Sequence, residues 1–394
     1  MITGWRRLCA WGGGLALTAL ASCTGGAIPA SGCQGGWQLH TGSASARESD
    51  ELLGVSAASS GGVWAVGVAL PPGRAARTLV EHWQGGAWRT VPSPDRPSGG
   101  SFLNSVVALS ASNAWAVGLS RSPGGPARTL VLHWDGRRWA IAASPNAGPG
   151  DNALVSAAAA SARDVWAVGY RDAKGVYRAL VEHWDGYRWT VVRLPPLPRL
   201  GGPGNGLNAV DASGSGVVWA VGGSARARGP SQPLVLRADG RGWSSVPASV
   251  SLHGATLNGV AAGGRGEAWV VGATRGGSGD RAFSLQTDGQ KWRFVPIDLP
   301  GPLSVDLNAT WAAAPDDVWA VGSSFDGRWY RALVEHGTGG RWSRVPTPGA
   351  PGYDSHLMAV TGFAGGELWA VGSTSRSGGP QRVLILHRCA SSPS

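Results

Sequence analysis

Lysine is almost absent from this chain. Of its 34 basic residues only Lys174 and Lys291 are lysines, and the rest are arginine. Charged residues of both signs make up only 15% of the sequence, against the ~25% of an ordinary soluble domain. Cysteine is scarce at four, which rules out a dense disulfide scaffold, and the cysteines lack the spacing of a zinc site. Carboxylates are few, and no pair of them stands apart from the rest as a glycosidase would need. No stretch keeps a 3.6-residue apolar period long enough for an amphipathic helix. Apart from one short run near the N-terminus there is no long hydrophobic segment, and no basic run with interleaved stacking aromatics suggests nucleic acid.

What is present is glycine (63), proline (26) and tryptophan (21), and the tryptophans are periodic. The run Val63-Trp64-Ala65-Val66-Gly67 returns with small changes at Trp115, Trp166, Trp219, Trp269, Trp319 and Trp369, at intervals of 51, 51, 53, 50, 50 and 50 residues. A fixed period of this length is one supersecondary unit copied along the chain. The third copy shows its content. Leu154 to Ala159 is a short apolar run, followed by the turn Ser161-Ala162-Arg163-Asp164 and then by Val165-Trp166-Ala167-Val168-Gly169. A polar stretch leads to Arg178 to Trp184, Asp185-Gly186 reverses the chain, and Trp189 to Val192 closes the unit before Pro195. Short Val, Leu and Trp runs punctuated by Gly, Asp, Pro and Ser predict four strands, A to D. Asp-Gly, here and at 135, 239 and 288, predicts a tight hairpin with positive φ at both central residues.

The expected fold class is therefore all-β, a seven-bladed β-propeller of four-stranded antiparallel blades. The seventh copy stops at Cys389 after its third strand, and Gly35-Gly36-Trp37-Gln38-Leu39 near the N-terminus matches the missing fourth one. An N-terminal strand, within residues 34–40, is expected to complete the last blade and close the ring. With its Val-Trp-Ala-Val-Gly repeats, the chain resembles bacterial secreted seven-bladed β-propellers. Its Asp-Gly-x-x-Trp hairpins, such as Asp135-Gly136-Arg137-Arg138-Trp139, resemble the Asp boxes of sialidase-like propellers. The resemblance covers residues 33–389 and implies a fold, not an activity.

The N-terminus reads differently. Arg6-Arg7 precedes an apolar segment from Leu8 to Leu20, too short for a permanent span, and Leu20-Ala21-Ser22-Cys23 resembles a bacterial lipobox. The expected organisation is a lipoprotein signal peptide over 1–22, a flexible tether over 23–32 from a lipidated Cys23, the propeller over 33–389 and a tail over 390–394. This places the protein on the extracytoplasmic face of a bacterial cell membrane, held by its lipid. Of the remaining cysteines, Cys33 and Cys389 fall in the two segments expected to pair, and a disulfide between them is expected. The net charge is +10, or +8 once Arg6 and Arg7 are removed.

Repetition separates architecture from candidate function. Strand B supplies seven tryptophans, strand D seven more (Trp37, Trp88, Trp139, Trp189, Trp243, Trp292, Trp342), and Trp83, Trp134 and Trp184 precede the C–D turn. These are expected to fill gaps between blades. His82, His133, His183, His336 and His387 share one strand C position, too dispersed around a ring to hold a metal, and no metal or cofactor is expected. Arg77, Arg128, Arg178, Arg281, Arg331 and Arg382 start strand C and form either structural pairs or a basic rim. The B–C and D–A loops, the B–C loops read at eight or nine residues, share the face where function is expected to collect.

In the mature chain only Trp311 and Trp329 escape the pattern, both in the sixth copy. A ligand site is expected there from Trp311, Phe325, Arg328, Trp329, Tyr330, Tyr353, Asp354 and His356, because aromatics beside Asp, Arg and His make stacking sites for sugars. The leading expectation is a non-catalytic monomer with no catalytic residues, binding a glycan, wall polymer or envelope protein. The alternatives are a sialidase-like glycoside hydrolase or lyase, and a structural envelope assembly factor.

Overall fold

The computed structural model describes residues 36–42, 48–58, 62–97, 99–197, 201–226, 230–247, 252, 254–264, 266–276, 279–297, 301, 304–349, 352–363, 365–377 and 379–390. The signal peptide, the tether, Cys23, Cys33 and residues 391–394 of the tail lie outside them.

Every element among the described residues is a β-strand. The first, β1 (Trp37–His40), stands apart from its neighbours in sequence. Then come β2 (Ser49–Ala57), β3 (Val63–Leu70), β4 (Arg77–Gln84) and β5 (Ala87–Thr90). The second group is β6 (Gly100–Ser110), β7 (Asn113–Arg121), β8 (Ala127–Trp134) and β9 (Trp139–Ala142). The third is β10 (Asn152–Ser161), β11 (Asp164–Asp172), β12 (Tyr177–Trp184) and β13 (Trp189–Val191). The fourth is β14 (Gly201–Ala212), β15 (Val218–Arg226), β16 (Gln232–Ala238) and β17 (Trp243–Ser245). The fifth is β18 (Ala255–Ala262), β19 (Ala268–Gly276), β20 (Gly279–Thr287) and β21 (Trp292–Val295). The sixth is β22 (Ser304–Ala314), β23 (Asp317–Phe325), β24 (Tyr330–Thr338) and β25 (Arg341–Arg344), and the last strands are β26 (Asp354–Gly362), β27 (Leu368–Ser375) and β28 (Arg382–Arg388).

Each group is an antiparallel meander. The third and fourth run together as one eight-stranded sheet through a single parallel bridge between Tyr177 and Gly204. In the final sheet the order is β1-β28-β27-β26, with Trp37 opposite Arg388 and His40 opposite Ile385. The N-terminal strand thus takes the outer, strand D place beside β28.

The motif glycine has a steric cause. In each sheet strand A shifts register opposite it, as between Leu52 and Gly54 in β2. A Cβ on Gly67, Gly118 or Gly322 would lie 1.9 Å from a strand A carbonyl oxygen, so no side chain fits. The motif Val, Trp and Ala residues are buried apart from the partly buried Trp166, because strand B lies in the middle of each sheet and is covered on both faces.

Consecutive sheets are held by tryptophan pairs. The strand B indole of one sheet meets the strand D indole of the next edge-on: Trp64 with Trp139 at 5.2 Å, Trp115 with Trp189 at 5.4 Å, Trp166 with Trp243 at 5.4 Å and Trp219 with Trp292 at 5.4 Å. Trp269 pairs with Trp342 at 5.7 Å and Trp319 with Trp37 at 6.1 Å. Trp369 of the last sheet pairs with Trp88 of the first at 5.3 Å. Edge-to-face contacts of this kind stabilise by about 0.5–1.5 kcal/mol beyond the area they bury. The strand C histidines stack on the same indoles, His82 on Trp64 at 3.9 Å and His336 on Trp319 at 3.9 Å. The far ring nitrogens bond Asn113, Asp164, Asp317 and Glu367 beside the A–B turns. Their role is packing and hydrogen bonding within each sheet.

Two loop expectations need correction. Among the described non-glycine residues only Lys174 has positive φ, so Asp135, Asp185, Asp239 and Asp288 do not start two-residue turns. Instead the Asp135 carboxylate accepts the backbone N–H groups of Arg137 and Arg138 at 2.8 and 2.9 Å, closing a four-residue loop. The two-residue turn with both φ values positive occurs at Gly85-Gly86 and Gly339-Gly340, where no Cβ resists it. The B–C connections are also shorter than expected, because strands B and C pair further: only 326–329 separate β23 from β24.

Candidate ligand-binding site

The expected aromatic site splits in two. Along β22, Ser304 pairs with Phe325 and Trp311 pairs with Trp319. At about 3.3 Å per residue, Trp311 lies roughly 20 Å from the Phe325 end. Its indole packs across onto the next sheet, where a Cβ on Gly362 would be 2.9 Å away. The same column in other sheets is an inter-sheet seam. Ser56 accepts the N–H of Ala108 at 3.0 Å, Asp211 that of Ala262 at 2.8 Å and Thr361 that of Ala57 at 3.2 Å. Trp311 replaces that hydrogen bond with packing, so it is removed from the candidate site.

The other residues gather at the B–C and D–A end of the sixth and last sheets. The sequence Asp326-Gly327-Arg328-Trp329 makes the same carboxylate-closed turn as Asp135, with Asp326 accepting the N–H groups of Arg328 and Trp329 at 2.9 and 2.7 Å. These backbone donors hold the Asp326 carboxyl down at about 2. Arg331 adds an ion pair to its other oxygen at 3.0 Å. The turn places Phe325 and Tyr330 opposite each other across β23 and β24, with ring centroids 4.9 Å apart. Tyr330 then meets His356 of β26 at 4.7 Å, and His356 Nδ1 is fixed by Ser323 Oγ at 3.1 Å. Three rings therefore form a half-buried row. Beside it the Arg328 guanidinium lies over Trp329 at 5.6 Å, and Arg376 lies over Tyr353 at 4.9 Å.

Asp354 has a structural task. Its carboxylate accepts the N–H of Tyr330 at 2.8 Å, 24 residues back. Asp151 does the same for Ala127, and Ser304 for Asp280, over the same interval. This latch ties the start of strand A to the start of strand C. The sequence pattern left Arg376 and Asp326 out of the site and offered Arg331 only as one of the strand C arginines. The Asp326 turn was legible, since it repeats the Asp-Gly signature on the opposite face; the Arg376 contact joins two loops that only packing brings together.

Three of the strand C arginines take two kinds of partner. Arg77 pairs with Glu48 at 3.2 Å and Arg331 with Asp326, while Arg128 donates to the carbonyls of Gly148, Pro149 and Gly150. No group of His, Cys, Asp and Glu suited to a metal occurs among the described residues.

No family model matches the chain, and no curated protein does. Solved structures do. YCF48 from Cyanidioschyzon merolae superposes with a TM-score of 0.55 at 15% identity, over 90% of this chain and 98% of its own. A YCF48 structure with a bound peptide gives the same score and identity, over 90% and 97%. A polysaccharide lyase, Uly1, follows at 0.51 and 12% identity, over 83% and 87%. The chain has a β-propeller fold. At these identities the likeness concerns the fold alone.

Proposed function

We propose that this protein is a non-catalytic, lipid-anchored β-propeller of seven blades that binds a glycan, a cell-wall polymer or an envelope protein on its B–C and D–A face. The observation that carries the reading is the Phe325, Tyr330 and His356 row, flanked by the Arg328–Trp329 and Tyr353–Arg376 pairs. The repeat does not require these aromatic rings, and a row of rings edged by guanidinium groups suits a sugar face or a planar side chain.

The ring is closed by β1, a reading supported by the pairing of β1 with β28 and by the Trp369–Trp88 contact. Cys23 carries the lipid, and residues 1–22 are its signal peptide. Cys33 pairs with Cys389, a reading supported by the pairing of Trp37, four residues after Cys33, with Arg388, next to Cys389. The protein acts as a monomer on the outer side of the cell membrane.

The test is a glycan-array screen with a parallel pull-down from cell envelope. Trp329→Ala is expected to weaken the captured interaction by about 1–3 kcal/mol at an unchanged melting temperature. Binding that survives Trp329→Ala and Tyr353→Ala together would move the site elsewhere.

A further inference from the structure

A second cleft lies on the same face, in the third sheet. Its volume is about 440 Å³, within the range of small-ligand sites. Arg171, Arg178 and Arg193 line it, and no acidic residue does. The Arg178 and Arg193 guanidinium groups have no hydrogen bond or ion pair among the described residues, and Arg171 spends one N–H on the Ala147 carbonyl at 3.2 Å. The nearby Asp172 is engaged by the N–H of Gly175 at 2.7 Å. The walls are apolar, from Leu180, Val192 and Leu194.

The repeat itself indicates what such an arginine holds. Arg178 occupies the strand C position of Arg77 and Arg331, and both of those grip a carboxylate of this chain, Glu48 and Asp326. Of the others at this position, Arg128 donates to backbone carbonyls, and Arg281 and Arg382 are exposed to solvent. Arg178 is half-buried in a cleft with two further guanidinium groups and no internal anion. Like charges gathered without a counter-charge create a strong local attraction for an anion, and the planar fork suits a carboxylate.

One more donor faces this cleft. Asn205 is only 2% exposed, and its side-chain oxygen accepts the N–H of Ala179 at 2.8 Å. Its amide nitrogen donates to nothing among the described residues, and Asn205 lines the cleft, so this N–H is free to donate to an occupant. An amide carbonyl close to the bound carboxylate would satisfy it.

We infer that this cleft binds the C-terminal carboxylate of a polypeptide ending in apolar residues, with Arg171, Arg178 and Arg193 on the carboxylate, Asn205 on the preceding carbonyl, and the apolar walls around the last side chain. The site is separate from the aromatic row, and it stands or falls without it.

The experiment is calorimetric titration of the full chain in detergent with N-acetyl-Leu-Leu as the free acid. The C-terminal amide of the same dipeptide, octanoate and inorganic phosphate are the comparison probes. The free acid is expected to bind at least about tenfold more tightly than its amide, and than octanoate or phosphate. Arg178→Gln is expected to remove that preference. The exposed Arg193→Gln, which cannot disturb packing, should reduce it, and Arg331→Gln should leave it unchanged. Equal binding of acid and amide, or no binding of either, overturns the proposal. Tighter binding of octanoate or phosphate than of the dipeptide replaces the peptide end with a lipid or a phosphate as occupant and overturns it as stated.

Discussion

Thr361 Oγ1 accepts a hydrogen bond from the backbone N–H of Ala57 at 3.2 Å, across 304 residues of sequence. It is the same seam that joins Ser56 to Ala108 between the first two sheets. If the last and first sheets meet as any neighbours do, Thr361→Val and Ser56→Ala should cost similar amounts, about 1 kcal/mol each. Thermal melts of both variants test this. A loss from Ser56→Ala alone would mean that the end-to-end seam contributes nothing to an enclosed ring.

Glu182 is buried on β12, where Ser144 Oγ donates to it at 2.8 Å. Burial raises its carboxyl to about 8, from an ordinary value of 4.5. A raised acid favours the folded state fully below its unfolded value, and that stability is lost as pH rises through the folded one. Stability should therefore fall between pH 4.5 and 8. Glu182→Gln should flatten this fall by on the order of 2–4 kcal/mol, seen by denaturant titration at pH 5 and pH 9. An unchanged slope would show that the carboxylate is accommodated when charged.

Trp311 and Trp329, the two tryptophans outside the repeat, should behave oppositely. Trp311→Ala empties packing against Gly362 and should lower stability by about 1–3 kcal/mol without touching ligand binding. Trp329 sits on a surface turn, so Trp329→Ala should spare the melting temperature and reduce binding. Equal destabilisation by both would assign Trp329 to packing.

The cysteine proposals have direct tests. Cys389→Ser should lower stability, by up to about 5 kcal/mol on the chain-entropy argument for so long a loop. It should also abolish any mobility difference between reduced and unreduced protein. Cys23→Ala should release the protein from the membrane fraction or leave it unprocessed; unchanged membrane retention would contradict acylation at that residue.

Asp326→Ala removes the acceptor that closes the turn before Trp329 and leaves Arg331 without its partner. The expected cost to stability is small, about 0.5–1.5 kcal/mol. Because the turn positions Trp329, binding should fall more than stability. A variant that keeps full binding would show that the turn does not aim the ring.

The architecture was legible because its causes are local and repeated. Val-Trp-Ala-Val-Gly carries the buried middle strand and the glycine that the strand A bulge requires, and the copy at Trp37 carries the outer strand of the last sheet. The periodic tryptophans and histidines were legible as packing for the same reason. The type of turn was not, because Asp-Gly is compatible with both a two-residue turn and a carboxylate-closed loop of four. Which one forms depends on where the strands stop pairing.

The candidate site was legible only in part. The sequence by itself determined which residues the repeat leaves unexplained, and it placed Phe325, Trp329, Tyr330, Tyr353 and His356 at one end of neighbouring strands. Only the tertiary structure decided that Trp311 belongs to a seam roughly 20 Å from them, that Asp354 is a latch, and that Arg178 lacks the carboxylate that Arg77 and Arg331 hold. Strand register and sheet-to-sheet packing set those distances, and they bring together residues that no local pattern relates.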